Sequence, residues 1–245
     1  MNSNPADSCT KLLTLKRELV AANRILAHQG VLDAFGHVSV RHPERDGEFL
    51  ISRSCAPELV DLDDIITMRL DGSITEGEGA KPYLEVSIHA EIYRARPDVR
   101  AIVHSHAPSV IPFGIVEQPL RPVYHMAGFL AKGAPVFDIR ACFGCTDMLV
   151  RRAEQGAALA QTLGPAAVAL MRGHGFVATS ESIPGVVYRA IYTERNATIQ
   201  QQAIALGGPV TYLDETEGLL ADETNMGAVG KPWALWSRYA EGSRD

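Results

Sequence analysis

Two histidines, His104 and His106, stand two residues apart behind the apolar run Ala101-Ile102-Val103. If that run is a strand, side chains recur on one face every second residue, so both imidazoles point the same way. Their α-carbons are then about 6.6 Å apart, a span that two imidazoles close around one ion at about 2.0–2.1 Å per bond. The alternative is a pair of histidines serving only the polar needs of a strand end. A third histidine, His174, lies between Gly173 and Gly175 after the apolar residues 166–171. Gly-His-Gly is a weak signal by itself, but glycine lets backbone approach a ligand closely. Three imidazoles at sheet ends would leave a coordination position open for a substrate, as Lewis-acid catalysis requires. His104, His106 and His174 are therefore the candidate metal ligands.

Glu85 precedes His89 by four residues, so on a helix the two side chains share a face. A carboxylate at a helix start is favourable to the dipole and needs no further role. Beside a metal it would instead serve as an acid or base, its proton affinity set by the ion and by burial. His89 reads as a partner on the same helix face.

The elements that must carry these residues follow from periodicity. Residues 12–28 place Leu12, Leu15, Leu19, Ala22 and Leu26 on one helical stripe, closed near Gly30. Alternation through Val38 and Val40, a turn over residues 43–47, and residues 48–52 predict two strands, and residues 65–70 a third before the Asp71-Gly72 turn. Helices are expected over residues 84–95, stopped by Pro97, and over 147–163 and 183–205. Strands are expected over 101–103, 134–139 and 166–171. The glycine-rich stretch beyond about residue 206 reads as irregular. With no internal repeat and no low-complexity linker, residues 1–245 are expected to form a single domain. The mixed order of helices and strands predicts an α/β fold with helices on both faces of a central sheet.

Composition narrows the function. The 245 residues are 46% hydrophobic and 21% charged with a formal charge of −6, which gives no global attraction for nucleic acid. There is neither a glycine-rich dinucleotide fingerprint nor a phosphate-loop lysine motif, so no nucleotide cofactor is expected. Residues 1–10 lack the basic and apolar regions of a signal peptide, and no apolar run reaches the roughly 18 residues of a membrane span. Cytoplasmic residence is the default expectation. Cys142 and Cys145 have ligand-like spacing without a second pair, and with Cys9 and Cys55 they read as free thiols.

The segments Lys81-Pro82-Tyr83-Leu84-Glu85 through His89, Arg96-Pro97-Asp98-Val99 with His104-Ser105-His106, and Arg172-Gly173-His174-Gly175 occur in this order. Together they resemble the class II aldolase and adducin-head family over about residues 12–215. The resemblance implies a three-layer α/β/α fold around a mainly antiparallel sheet. It also implies a homotetramer with active sites between neighbouring subunits. It assigns one divalent metal ion per subunit to His104, His106 and His174, zinc or manganese foremost with cobalt or iron as alternatives, and acid/base chemistry to Glu85. Adducin-like members lack a catalytic metal set, so its completeness here argues against a purely structural protein.

Departures from the sugar-phosphate aldolases point to a substrate class. Gly36-His37 replaces Gly-Asn, Ser54-Cys55 replaces the Thr-Gly phosphate loop, and Tyr83-Leu84 replaces Ser-Ser before the glutamate. A phosphate pocket needs small residues and exposed backbone donors, which these substitutions remove, while Arg53 offers a bidentate clamp for carboxylate. Ser52-Arg53-Ser54, Ala56-Pro57-Glu58 and Arg121-Pro122-Val123-Tyr124-His125-Met126 resemble the decarboxylase-like branch of the family. That likeness implies non-oxidative decarboxylation of a hydroxylated aromatic dicarboxylate, such as 3,4-dihydroxyphthalate or a hydroxypyridinedicarboxylate. In that reading Arg53, Ser54 and Tyr124 bind a small aromatic carboxylate, and Glu85, His37 and His125 manage protons. A retro-aldolase or epimerase using the same metal and glutamate is the alternative, and an adducin-like interaction module the third.

Overall fold

The computed structural model describes residues 5–242. Eight strands form one sheet in the order β4-β3-β2-β1-β5-β8-β7-β6. They are β1 (His37–Arg41), β2 (Glu48–Ser52), β3 (Ile65–Arg69), β4 (Ile74–Glu76), β5 (Ala101–Ser105), β6 (Val136–Phe137), β7 (Val168–Met171) and β8 (Gly175–Ser180). Every pairing is antiparallel except that of β6 with β7. The expected α/β/α layering with a mainly antiparallel sheet is what forms. Strand alternation divides the core in two. Val38, Val40, Ala101, Val103, Phe176 and Ala178 face one layer, built on the helices α1 (Pro5–His28) and α5 (Ile183–Ala205). Ile51, Ile66, Ile102 and Val177 face the other, built on α2 (Val86–Ala95) and α4 (Ala153–Leu163).

Register does the positioning. His37 pairs with His104 across β1 and β5, and Ser105 pairs with Phe176 across β5 and β8. His104 shares its parity with Ile102, so it points to the α2 layer. The β7–β8 hairpin turns through His174, with Met171 paired to Gly175. A β-carbon on Gly175 would lie 2.1 Å from the Ser105 carbonyl oxygen, so only glycine lets the His174 turn close against the end of β5. The spacing of two between His104 and His106 and the glycine after His174 are thus parts of one joint.

Three sequence expectations change. The helix expected over 147–163 begins at Ala153, and residues 146–152 form a loop in which Met148 has φ 70°. The strand expected over 134–139 shortens to Val136–Phe137, and Ile139–Phe143 is a short helix, α3, capped by the Asp138 side chain. Beyond residue 206 the chain is not irregular: it forms α6 (Glu215–Gly227) and α7 (Gly230–Gly242). Asp214 and Glu217 make a reciprocal capping box that starts α6. Gly218 inside α6 reads as a breaker, yet its role is contact, since a β-carbon there would come 2.4 Å from Cβ of Ala131. Among the described residues no helix is long and apolar enough to cross a membrane.

Candidate metal centre

Glu85, His104, His106 and His174 place one ligand atom each within 4.8 Å of one another. Nε2 of His104 lies 2.9 Å from Nε2 of His106, which lies 3.1 Å from Nε2 of His174. Oε2 of Glu85 lies 3.7 Å from Nε2 of His104 and 3.5 Å from Nε2 of His174. Ligands at about 2.0–2.1 Å from a tetrahedral ion are about 3.4 Å apart, and the four atoms bracket that separation.

The protons decide whether the set fits a cation. Nδ1 of His104 is 3.1 Å from the Phe176 carbonyl, and Nδ1 of His174 is 3.0 Å from the Met148 carbonyl. A carbonyl only accepts, so both rings carry their proton on Nδ1 and, when neutral, turn a bare lone pair on Nε2 toward the centre. His106 can donate to one of them at most. A carboxylate faces the same point. Three imidazole nitrogens and an anion crowded in this way repel one another unless a positive charge sits among them, and this donor set suits one divalent ion. Outer partners that fix a ring's tautomer are a regular feature of histidine metal ligation.

Burial and the neighbouring imidazoles of His104 and His174 push His106 down to about 4, so it is neutral and ligand-ready near pH 7. Burial raises the Glu85 carboxyl, while positive charge on His104 and His174, present when those rings are protonated, lowers it well below the usual carboxylate range. Glu85 stands at the N-cap of α2 rather than inside it, and its side chain makes no capping bond. Its Oε1 accepts the Val150 amide at 2.9 Å while Oε2 faces the histidines.

The loop 146–152 therefore works for the site, and sequence reasoning missed it. The Met148 carbonyl orients His174, the Val150 amide anchors Glu85, and the Arg151 carbonyl accepts the Ser87 hydroxyl. Positive φ at a non-glycine residue costs about 1–2 kcal/mol. The signal for a turn was present: Thr146 Oγ1 and Asp147 Oδ1 accept the amides two residues on, at 3.0 and 3.2 Å, as such side chains do.

Beside the ligands opens a cavity of about 320 Å³, walled by Phe35, His37, Ser54, Tyr83, Leu84 and Leu149. His37 is buried, and its ring centroid lies 4.5 Å from that of Tyr83 and 5.1 Å from that of His104. Burial and the adjacent imidazoles keep His37 well below 6.5. Arg53 turns away from the cavity: its Nε bonds Asp64 Oδ1 at 2.6 Å on the surface. Tyr124 and His125 are not brought to the ligand set within this chain. Tyr124 packs beside Tyr192 of α5 at 6.2 Å between centroids, and the His125 carbonyl accepts from Asn225 of α6. The Tyr124 hydroxyl is buried and has no hydrogen-bond partner among the described residues. A roomier cavity of about 570 Å³ lies at the other end of β5 and β8, beside Asp98, Lys132 and Arg189. All four cysteines are free.

Residues 17–201 match the family model of the class II aldolase and adducin N-terminal domain. The chain belongs to this family. Decarboxylase tropJ of Talaromyces stipitatus is 38% identical over 92% of this chain and 93% of its own length. The 3,4-dihydroxyphthalate decarboxylase of Arthrobacter keyseri is 30% identical over 90% of each. Among solved structures, the L-fuculose 1-phosphate aldolase of Glaciozyma antarctica PI12 superposes with a TM-score of 0.80 at 23% identity, covering 100% of this chain and 95% of that one. This structural likeness establishes the fold. The intact His/Glu set in a chain of this family is the equipment of a metal-dependent lyase.

Removing one of three imidazoles should cost more than the roughly 10- to 100-fold that loss of an outer partner costs. His174→Ala is expected to lower zinc affinity beyond that range, read by competition with a chelating dye. Arg53→Ala, outside the centre, is expected to bind zinc as the wild type does. Equal affinities in both variants would contradict the ligand assignment.

Proposed function

We propose that the protein is a metal-dependent decarboxylase of a hydroxylated aromatic acid. The observation that carries this is the opening of a complete His/Glu ligand set onto a cavity walled by Phe35, Tyr83, Leu84 and Leu149. Aromatic and aliphatic walls suit a planar ring rather than a sugar phosphate, and the similarity to two decarboxylases supports the same chemistry. A divalent ion at this centre supplies Lewis acidity for a substrate bearing adjacent oxygen atoms. The chain's own residues do the rest. His104, His106 and His174 hold the ion, zinc or manganese in the first place, with cobalt and iron also suited to nitrogen-rich sites. Phe35 and Leu84, both exposed in the single chain, offer apolar surface to the ring. In this reading His37 and Glu85 exchange protons with a ring hydroxyl and a ring carbon.

The finer reading is a dicarboxylate, with 3,4-dihydroxyphthalate or a hydroxypyridinedicarboxylate as candidates. Its support is the name of the Arthrobacter keyseri relative and the position of Arg53 next to the cavity residue Ser54. Arg53 must then leave Asp64 to reach a second carboxylate. That pair is screened by solvent on the Arg53 side and worth little, so the exchange is cheap. Tyr124 and His125 belong to this reading as residues that a neighbouring copy brings to the cavity in a homotetramer. A monomer with full turnover would remove them from the site.

A retro-aldolase or epimerase is the second reading, favoured by the fold shared with an L-fuculose 1-phosphate aldolase. The products separate the two: released carbon dioxide marks the decarboxylase, an aldehyde or ketone the aldolase. The metal-loaded enzyme is expected to release carbon dioxide from a dihydroxyphthalate. Arg53→Ala is expected to lower kcat/KM on that dicarboxylate by roughly 10- to 150-fold, the equivalent of about 1.5–3 kcal/mol for a charged hydrogen bond. On the matching monocarboxylate the loss should largely vanish. Equal losses on both would remove Arg53 as a clamp, and no carbon dioxide from any hydroxylated aryl carboxylate would remove the decarboxylase.

A further inference from the structure

A second polar network runs inward from the cavity, distinct from the metal ligands. His37 and Ser39 lie two apart on β1 and share the face toward α2, while His89 and Tyr93 lie four apart on α2. Two strand residues advance about 6.6 Å and four helical residues about 6 Å, so the two pairs interleave. His37 Nδ1 is 2.6 Å from His89 Nε2, and His89 Nδ1 is 2.6 Å from Ser39 Oγ. Ser39 Oγ is 2.8 Å from the Tyr93 hydroxyl, which is 3.3 Å from the Arg100 carbonyl. All four side chains are at most 3% exposed. Phe49 stacks on His89 and packs tilted against Tyr93, and the Arg41 guanidinium lies 4.7 Å over the Tyr93 ring, holding the file in place.

Such a chain has a direction, and its inner end sets it. The Arg100 carbonyl only accepts, so the Tyr93 hydroxyl donates to it. The phenolic oxygen then accepts from Ser39, Ser39 Oγ accepts from Nδ1–H of His89, and His89 Nε2 accepts from Nδ1–H of His37. The reverse direction turns the Tyr93 hydroxyl back on Ser39 and forfeits the Arg100 contact. The Arg100 carbonyl keeps the Arg41 amide at 2.8 Å either way, but the reverse direction makes one hydrogen bond fewer in a dry interior, which favours the inward one.

We infer that Tyr93, Ser39 and His89 are positioning residues that keep the His37 proton on Nδ1, so that its bare Nε2 faces the cavity as the acceptor for a ligand hydroxyl. The inference rests on the decarboxylase reading only for the identity of that hydroxyl. A neutral acceptor beside the metal centre selects ligands that carry O–H or N–H there, and it disfavours a second carboxylate or a phosphate at that edge. Specificity for a hydroxylated ring thus comes from the direction of a buried chain as well as from the metal.

The test is imidazole nitrogen NMR on the zinc-loaded, histidine-labelled protein without substrate, with His37 assigned through His37→Asn. The wild type is expected to show His37 protonated on Nδ1 alone. Tyr93→Phe removes the hydroxyl that sets the direction and frees Ser39 to donate to His89. This variant is expected to mix the two His37 tautomers, retain zinc, and lose roughly 10- to 100-fold in kcat, the usual effect of an outer partner. Ser39→Ala, a smaller change, cuts the same chain and is expected to act alike where Tyr93→Phe does not fold. A wild-type His37 protonated on Nε2 would overturn the inference, as would a pure Nδ1 tautomer retained in both variants. Because the spectrum is taken without substrate, this outcome is independent of whether carbon dioxide is released.

Discussion

Two backbone carbonyls, those of Phe176 and Met148, fix the polarity of the metal centre. By accepting the Nδ1 protons of His104 and His174, they commit both rings to present lone pairs to one point. Everything else in the fold serves to bring those carbonyls and rings together. Phe176 comes with its strand, because β5 and β8 pair in the register that sets Ser105 against it. Met148 comes only because the chain before α4 leaves helical geometry. The free energy spent on that turn is small beside the binding of a divalent ion to preoriented ligands, which for structural zinc sites amounts to about 10–16 kcal/mol.

The α2 layer carries the metal ligands and the polar file behind them. Helix spacing of four puts Glu85, His89 and Tyr93 along one face, the first reaching the metal ligands and the other two reaching β1. The opposite layer, on α1 and α5, meets the middle of the same strands through Val38, Val40, Val103, Phe176 and Ala178. Chemistry is thereby confined to one side of a sheet whose other side is packing. A buried polar network is tolerated when its members find partners, and the file from His37 to Arg100 meets that condition.

How legible this was depended on whether the relevant period was local. His104 and His106 declared themselves, because a spacing of two after an apolar run means one face of a strand. His174 needed only the flanking glycines to be read as a turn. The loop at residues 146–152 did not show, because Leu149 and Val150 extend the apolar pattern of the helix that follows, while the turn-forming side chains of Thr146 and Asp147 were passed over. The pairing of Arg53 with Asp64 is equally hidden in the sequence: the two lie eleven residues apart, and the 3-10 helix at Leu62–Asp64 brings Asp64 round to Arg53. At the C-terminal end the number of glycines masked two helices, the first of which the Asp214 and Glu217 capping pair marks plainly. What sequence lacks here is long-range register, and register is what turns four scattered residues into a ligand set.

The central claim is that three imidazoles share one divalent ion. X-ray absorption at the metal edge of protein purified without chelator and reconstituted with zinc reads the ligand shell directly. Nitrogen and oxygen scatterers at about 2.0–2.1 Å, with the outer-shell pattern of three imidazole rings, are the predicted result. A shell containing sulfur at about 2.3 Å, or one with fewer than three imidazoles, would contradict the account.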